Sequence, residues 1–533
     1  MTALPIARRI VGDEASVSSD GASRRQAATP AAPLRQQPDV YPFAFRVGRR
    51  FGCTHVVDLG CARLGELARL RPEFQVIGLA VGDTSKLSRP RFGQWMRWDP
   101  GQDAAPPVAR EVLPTSIIVC SGLIERLPDP APLLGTLHQL MEYAPVGIIT
   151  TPDRDVVRGP DHPASPEGLG SVREWNREEF RVLLEAAGLR VEFIGLTAGD
   201  DVHFHRDTTL AILANNHAPA IEEAPAHFRV VAPMTVYNEE DIIVPSLTYL
   251  IDQGVEVYLI DNWSTDRTVE LARPFQGRGV IGLEQFPPEG PSPTYDWARL
   301  LNRIEEVTTE IEANWYMHTD PDEIRRSPWP GVRLKDALYH VDRSGFNAVD
   351  HTPLSFRAID NGYPDGSDLE QYFQFFDFDF VQDNQVKTWK NTGLRVLLDY
   401  AGHSATFAGR RIYPYNFLFK HYPIRSQDHG ERKVFRERRA RYNPGERQDG
   451  WHRHYDPWSP GDTFLFDPSK LLRFDESGFD QAYLVERLAN IGPQEQQAWV
   501  VRGTPGPTWR MLAHRSYRRI RRLLSPMRRL VIS

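Results

Sequence analysis

Cysteine is scarce: Cys53, Cys61 and Cys120 are the only three in 533 residues, all in the first quarter and at no metal-ligand spacing. That excludes a disulfide framework and points to reduced packing residues of a cytosolic protein. Long apolar runs are missing too, so no segment is long enough to span a bilayer. The N-terminus has no apolar stretch of the signal-peptide kind, and a cytoplasmic protein is expected. Strong charge is also absent: a net -7 over this length favours no class of partner, and nucleic acid is not expected. The last 25 residues are a local exception. Trp509 to Ser533 carries Arg510, Arg515, Arg518, Arg519, Arg521, Arg522, Arg528 and Arg529 and no acidic residue. Ala513, Tyr517, Ile520 and Leu524 recur at helical spacing within it. A basic amphipathic helix of this kind suits an anionic membrane surface, which would place the protein at the inner face of the membrane.

The chain is too long for one core, so at least two domains are expected. Residues 1–38 are rich in Ala, Ser, Arg, Pro and Gln and read as disordered. Buried strands follow at His55–Leu59, Gln75–Leu79, Ser116–Cys120 and Val146–Thr151, with helical stretches such as Ala131–Tyr143 and Arg177–Ala187 between them. This alternation predicts a doubly wound parallel sheet over 39–215, closed by an antiparallel edge pair, Arg190–Gly195 and Thr209–Ala214. Residues 216–226 are a Pro, Ala and Glu-rich linker. A second alternating series fills the start of 227–475, and 476–533 is a C-terminal helical extension ending in the basic tail. The fold class is therefore α/β, with two doubly wound sheets.

In the second series three strands end in polar segments. Tyr237-Asn238-Glu239-Glu240 follows Phe228–Val236, and Asp261-Asn262-Trp263-Ser264-Thr265-Asp266-Arg267-Thr268 follows Val255–Ile260. The third, His318-Thr319-Asp320-Pro321-Asp322-Glu323, follows Trp315. Open α/β sheets bind ligands at these carboxyl ends. Two carboxylates held two residues apart by Pro321 suit one hard cation, Mg²⁺ or Mn²⁺, that leaves positions open for phosphate. Asp261 is placed to accept hydrogen bonds from a base or ribose, and Ser264 or Thr265 to cap the next helix.

In order and approximate spacing these segments resemble family 2 glycosyltransferases, the inverting GT-A group, well over 228–330 and loosely to about 430. The resemblance implies a nucleotide-sugar donor bound around Tyr237, Asn238, Glu239 and Asp261, and a metal-diphosphate site at Asp320 and Asp322, with Asp322 the principal metal ligand. A Gln-x-x-Arg-Trp motif of processive members is missing, which argues against a polysaccharide synthase. Further along, Lys387 and Arg425 are candidates to hold phosphate and His421 to complete the metal shell. Inversion needs one general base at the acceptor hydroxyl. Glu370, Asp377 and Asp379 lie in the right stretch, and the sequence does not choose among them.

In the first half, Val56-Val57-Asp58-Leu59-Gly60-Cys61 resembles the first motif of class I S-adenosylmethionine methyltransferases, and the segments around Gly78, Cys120 and Thr151 agree. The resemblance implies a cofactor loop with Asp58, Gly60 and Gly65. The sequence departs from it at Ala62, where Gly is expected, at Ala80, where an acid grips the ribose, and at Gly122 and Arg126. Asp83, displaced by three residues, is the alternative ribose ligand; together the departures point to a weakened or lost cofactor site and a non-catalytic domain that scaffolds the transferase or binds its acceptor. The reading is a metal-dependent hexosyltransferase acting on a glycan or lipid-linked acceptor, as in cell-envelope polysaccharide biosynthesis. The alternatives are a bifunctional enzyme that also methylates the glycan, and a non-enzymatic binding module.

Overall fold

The computed structural model describes residues 39–60, 64–81, 92–103, 105–160, 172–199, 205–378, 385–448 and 451–492. The basic tail and Asp379 lie outside them. No helix among the described residues is long and apolar enough to cross a membrane.

The first half is a seven-stranded sheet of β1 (His55–Leu59), β2 (Gln75–Ala80), β3 (Gln94–Arg97), β4 (Ser116–Ser121), β5 (Val146–Pro152), β6 (Arg190–Thr197) and β7 (Thr208–Ala214). The order is β3-β2-β1-β4-β5-β7-β6. The first five are parallel, and β7 runs antiparallel to both neighbours. β4, β5 and β7 are buried along their whole length, as apolar runs covered on both faces should be. The expected edge pair forms, with β7 inserted inside β6. β3 was not legible, because Gln94-Trp95-Met96-Arg97 is half polar and only lines the rim.

The second half begins with β8 (Val230–Val236), β9 (Glu256–Asp261), β10 (Val280–Gln285), β11 (Trp315–Met317) and β12 (Glu323–Arg326). There follow β13 (Ala348–Val349), β14 (His351–Phe356), β15 (Phe375–Phe378), β16 (Thr388–Lys390), β17 (Leu397–Asp399), β18 (Ser404–Thr406), β19 (Phe417–His421) and β20 (Leu472–Arg473). They form a six-stranded sheet, β10-β9-β8-β11-β16-β13, a five-stranded sheet, β12-β19-β14-β15-β20, and a β17-β18 hairpin. The second half thus adds a five-stranded sheet and a hairpin to the sheet that its alternating series builds. The acidic turn is the joint between them, since β11 closes in one sheet and β12 opens in the other. Pairing of β12 with β19 sets Glu323 opposite His421, about 100 residues away in sequence.

One buried core crosses between the halves, from Val47 and Ile212 to Val230, Leu334 and Val485. Phe193 of β6 stacks on Trp329, whose indole N–H donates to Glu192 at 2.9 Å. Arg50 donates to Asp350, to Asn416 and to the Pro414 carbonyl. The helices Glu476–Ala482 and Leu484–Ala489 lie between the halves, and every residue of the second is buried. They approach β6 so closely that a Cβ on Gly195 would stand 2.8 Å from the Gln481 carbonyl and 3.1 Å from Leu484. The connection 216–226 is pinned at both ends. Arg190 donates to the Ala218 carbonyl, and Ala224 N–H to Asp336 at 2.9 Å.

Asp39 gives this junction a pH dependence. It is buried, with one oxygen accepting from Thr197 and from Ala198 N–H at 2.9 Å and the other oxygen lacking a hydrogen-bond partner. Burial, reinforced by the Glu486 carboxylate, pushes its pKa up to about 7. The folded chain then holds this proton more tightly than the unfolded chain, whose aspartates titrate near ~3.9. The resulting stability is complete below the unfolded value and is lost as pH rises through about 7. Asp39→Asn keeps the acceptor and removes the ionisation. It should therefore be more stable than the parent at pH 8, by on the order of 1–4 kcal/mol, and equal to it at pH 4. Urea denaturation at the two pH values is the measurement, and the same difference at both would refute the assignment.

Candidate functional site

The loops after β8 and β9 are stitched together by their own side chains. Asn238, held at φ 57°, donates its N–H to Ser264 Oγ at 3.0 Å, and its Oδ1 accepts from Thr265 N–H at 2.8 Å. Glu239 N–H donates to Thr268 Oγ1 at 2.8 Å and Glu240 N–H to Asp266 at 3.1 Å. Arg267 N–H returns a bond to Glu240 at 3.0 Å. The polar types in the two segments thus build one platform. Asp261 lies buried at its edge, accepting from Ser264 N–H at 3.1 Å and Gln285 Nε2 at 3.4 Å, and burial raises its pKa against those bonds. If Asp261 receives a donor from a nucleotide base, Asp261→Ala should weaken nucleoside diphosphate binding by roughly 1–3 kcal/mol. Calorimetry giving an unchanged Kd would move the base elsewhere.

The acidic turn carries three carboxylates in three environments. Glu323 is buried and paired with Lys387 at 2.6 Å and Arg325 at 2.5 Å; burial works against its charge, but those cations hold its pKa far below the usual range. Asp322 is buried with Lys433 Nζ at 3.0 Å and His421 Nε2 at 3.9 Å. Burial opposes its ionisation too, yet Lys433, His421 and Arg425 bring its pKa down to about 2. Asp320 is partly exposed, 3.6 Å from Lys387, and burial raises its pKa. The turn is fixed from behind by Arg325, which donates to the His318 carbonyl at 2.8 Å.

The structure redistributes the remaining candidates. Arg425 is buried and already committed, to Asp241 at 2.5 and 2.9 Å and to Glu239 at 2.7 Å. It braces the Tyr237 loop, and Lys387 likewise braces Glu323. Alternation along β19 separates the base candidates. Lys420 faces away from His421 and binds Glu370 at 2.5 Å, so Glu370 belongs to the opposite face of the five-stranded sheet. Asp377 shares a cross-strand row with Ser355, His421 and Glu323, and is therefore on the face of the acidic turn. It is part-exposed and salt-bridged to Arg357 at 3.0 Å.

Sequence reasoning passed over Arg432–Arg441. Five arginines and one lysine in ten residues were the available signal. A π-type turn, Arg432–Arg438, and a 3₁₀ turn, Arg439–Arg441, carry this segment across the site. Lys433 reaches Asp322, Glu437 accepts from Asn238 Nδ2 at 3.0 Å, and Arg441 donates to Ser292 O at 3.2 Å and Asn262 Oδ1 at 3.4 Å.

Among the described residues, no group of three or more His, Cys, Asp or Glu is gathered tightly enough to hold a metal ion. The donors nonetheless fit a hard cation in type. Asp322 is held ionised, and Asp320 and His421 stand beside it. The Lys433 ammonium shows that positive charge is accommodated at Asp322 Oδ2. In the first half the residues described after β2 offer S-adenosylmethionine no ribose acid, and Asp83 lies outside them. Ala80 and Val81 close β2 without a carboxylate, while Asp58 accepts from the Tyr41 hydroxyl at 2.8 Å. Gly60 keeps the positive φ of 107° that a cofactor loop needs, and Gly65 lies in the helix Leu64–Leu70. Ala62 lies outside the described residues.

Residues 233–285 match the model of the family described as Glycosyl transferase family 2, covering the end of β8, the platform loops and β9–β10. No curated protein matches the chain. Solved structures similar to it include an S-adenosylmethionine-dependent methyltransferase from Mesorhizobium loti, 14% identical over 32% of this chain and 97% of that one, TM-score 0.25. Another is the glycopeptide N-methyltransferase MtfA complexed with S-adenosyl-L-homocysteine, 14% identical over 36% and 94%, TM-score 0.27. At these TM-scores the likenesses add nothing to the strand order of the first sheet, with its one reversed strand.

Proposed function

We propose that this chain is an inverting hexosyltransferase that moves a sugar from a nucleotide-sugar to a glycan or lipid-linked acceptor. The observation that supports it best is the placement of the acidic turn. It joins the two sheets between the family 2 platform and the row His421–Ser355–Asp377. The donor nucleotide lies on Tyr237, Asn238 and Asp261, and its diphosphate lies toward Asp320 and Asp322. The acceptor hydroxyl attacks the anomeric carbon from the side of the five-stranded sheet as the bond to the diphosphate breaks. Asp377 takes the hydroxyl proton, and Arg357 orients that carboxylate through their ion pair. Asp322, Asp320 and His421 would hold Mn²⁺ or Mg²⁺, which would supply positive charge to the departing diphosphate.

The methyltransferase-like half acts as a scaffold. Its β2 end lacks the ribose acid, and its β6 face is buried against the second half. A bifunctional enzyme would need the missing ribose grip, and a mere binding module leaves an ionised Asp322 without a task. The deciding experiment offers UDP-, GDP- and dTDP-sugars with and without Mn²⁺ and follows sugar release. Metal-stimulated hydrolysis of one donor is the expected result, and no hydrolysis or binding of any of them would sink the proposal.

A further inference from the structure

Lys433 has its carboxylate, but two cations further along the same segment are only partly answered. Arg438 Nη1 and Arg441 Nη1 are each cut off from solvent with no hydrogen-bond acceptor. Both guanidiniums lie over tyrosine rings that border the site, Arg438 4.2 Å from the centre of Tyr295 and Arg441 4.4 Å from that of Tyr237. Tyr237 belongs to the platform. Tyr295 is anchored to the basic segment, its N–H donating to the Arg441 carbonyl at 2.6 Å. The Arg438 charge is maintained: burial works against it, and the Tyr295 and Tyr455 hydroxyls with Glu239 and Glu437 more than compensate. Glu437, directly before Arg438, accepts from Asn238 and so ties the segment to the platform.

We propose that Arg438 and Arg441 are the phosphate grip of the donor site, closing over the diphosphate of a nucleoside diphosphate from the side opposite the acidic turn. This rests on the nucleotide-sugar reading above. Lys387 and Arg425 cannot serve, because each is buried against carboxylates at hydrogen-bond distance. The two Nη1 groups are donors without hydrogen-bond acceptors, and phosphate oxygens are acceptors without donors. A planar guanidinium fixed on a ring also loses little freedom when it forms a forked, charge-assisted pair with phosphate. The cations reach the ligand from one helical segment, so phosphate binding also ties that segment down over the donor.

Calorimetry on the full chain tests this with UDP, GDP and dTDP, and with uridine, guanosine and thymidine measured by displacement. Arg438→Gln and Arg441→Gln should each lose tenfold or more in affinity for the preferred diphosphate, roughly the worth of a hydrogen bond to a charged group. Affinity for the matching nucleoside should change less than twofold. Arg438→Lys, which keeps the charge but not the fork, should fall between and guards against a loss caused by misfolding. Unchanged diphosphate affinity overturns the grip alone. An equal loss for nucleoside and diphosphate also overturns it, since the arginines would then only position the loops. Failure of the parent protein to bind any of the three diphosphates overturns the nucleotide reading itself.

Discussion

Asp322→Ala and Asp322→Asn are both expected to reduce sugar transfer by on the order of 10³-fold or more, the equivalent of several kcal/mol of transition-state stabilisation. Asp322 is the one carboxylate of the turn that is at once ionised, within 4 Å of His421 and not locked into a bracing pair with arginine. Under the proposed function, either substitution removes the anion around which a cation and the departing diphosphate would gather. The alanine variant also leaves Lys433 buried without its nearest partner, so some loss of stability accompanies it. The asparagine variant keeps the volume and an acceptor for Lys433 and isolates the charge. Turnover by Asp322→Asn within tenfold of the parent, with the donor bound normally, would show that the diphosphate is stabilised elsewhere.

The second large effect concerns the junction of the two halves. The Arg50 side chain is 10% exposed, with its pKa lowered to about 10 by desolvation against the pull of Asp350. Asp350 is buried and accepts from Gln385 N–H at 2.7 Å and His351 N–H at 2.9 Å. Removing one member of such a pair leaves a charge uncompensated in the interior, at a cost of about 3–5 kcal/mol. Asp350→Ala should be the more damaging, because it strands both Arg50 and Arg46 and frees two backbone donors. Arg50→Ala still leaves Asp350 with Arg46. The two halves share one core, so urea should unfold the chain in one transition whose midpoint moves in each variant. A cost below about 1 kcal/mol for Asp350→Ala, or two separate transitions in the parent, would refute a single cooperative unit.

Much of the first half was legible because its strands are apolar runs buried on both faces and its helices carry clear signals. Asn176 and Glu179, for example, form the capping box that opens Arg177–Ala186. The five-stranded sheet was not legible. Its strands β12, β15 and β20 are two to four residues long, and its core is aromatic without a period that a sequence window can register. Charge misled for the same reason. Lys387 and Arg425 look like phosphate ligands in a polar stretch, but folding delivers Glu323 and Asp241 to them. The run Arg432–Arg441 looks like a solvated surface, but folding lays it against the loops after β8 and β9.

By itself the sequence determined the local features: alternating strands and helices, the polar segments at the ends of β8, β9 and β11, and the loss of the acid at Ala80. Each depends on neighbours a few residues apart, where periodicity and side-chain type decide the outcome. Only the tertiary structure decided which charges are spent and which are available. Pairing of β12 with β19 brought His421 to the acidic turn, and strand alternation placed Asp377 on its face and Glu370 on the other. A side chain's electrostatic role depends on which opposite charge lies within a few ångströms after burial, and here those partners are 64 to 186 residues apart in sequence.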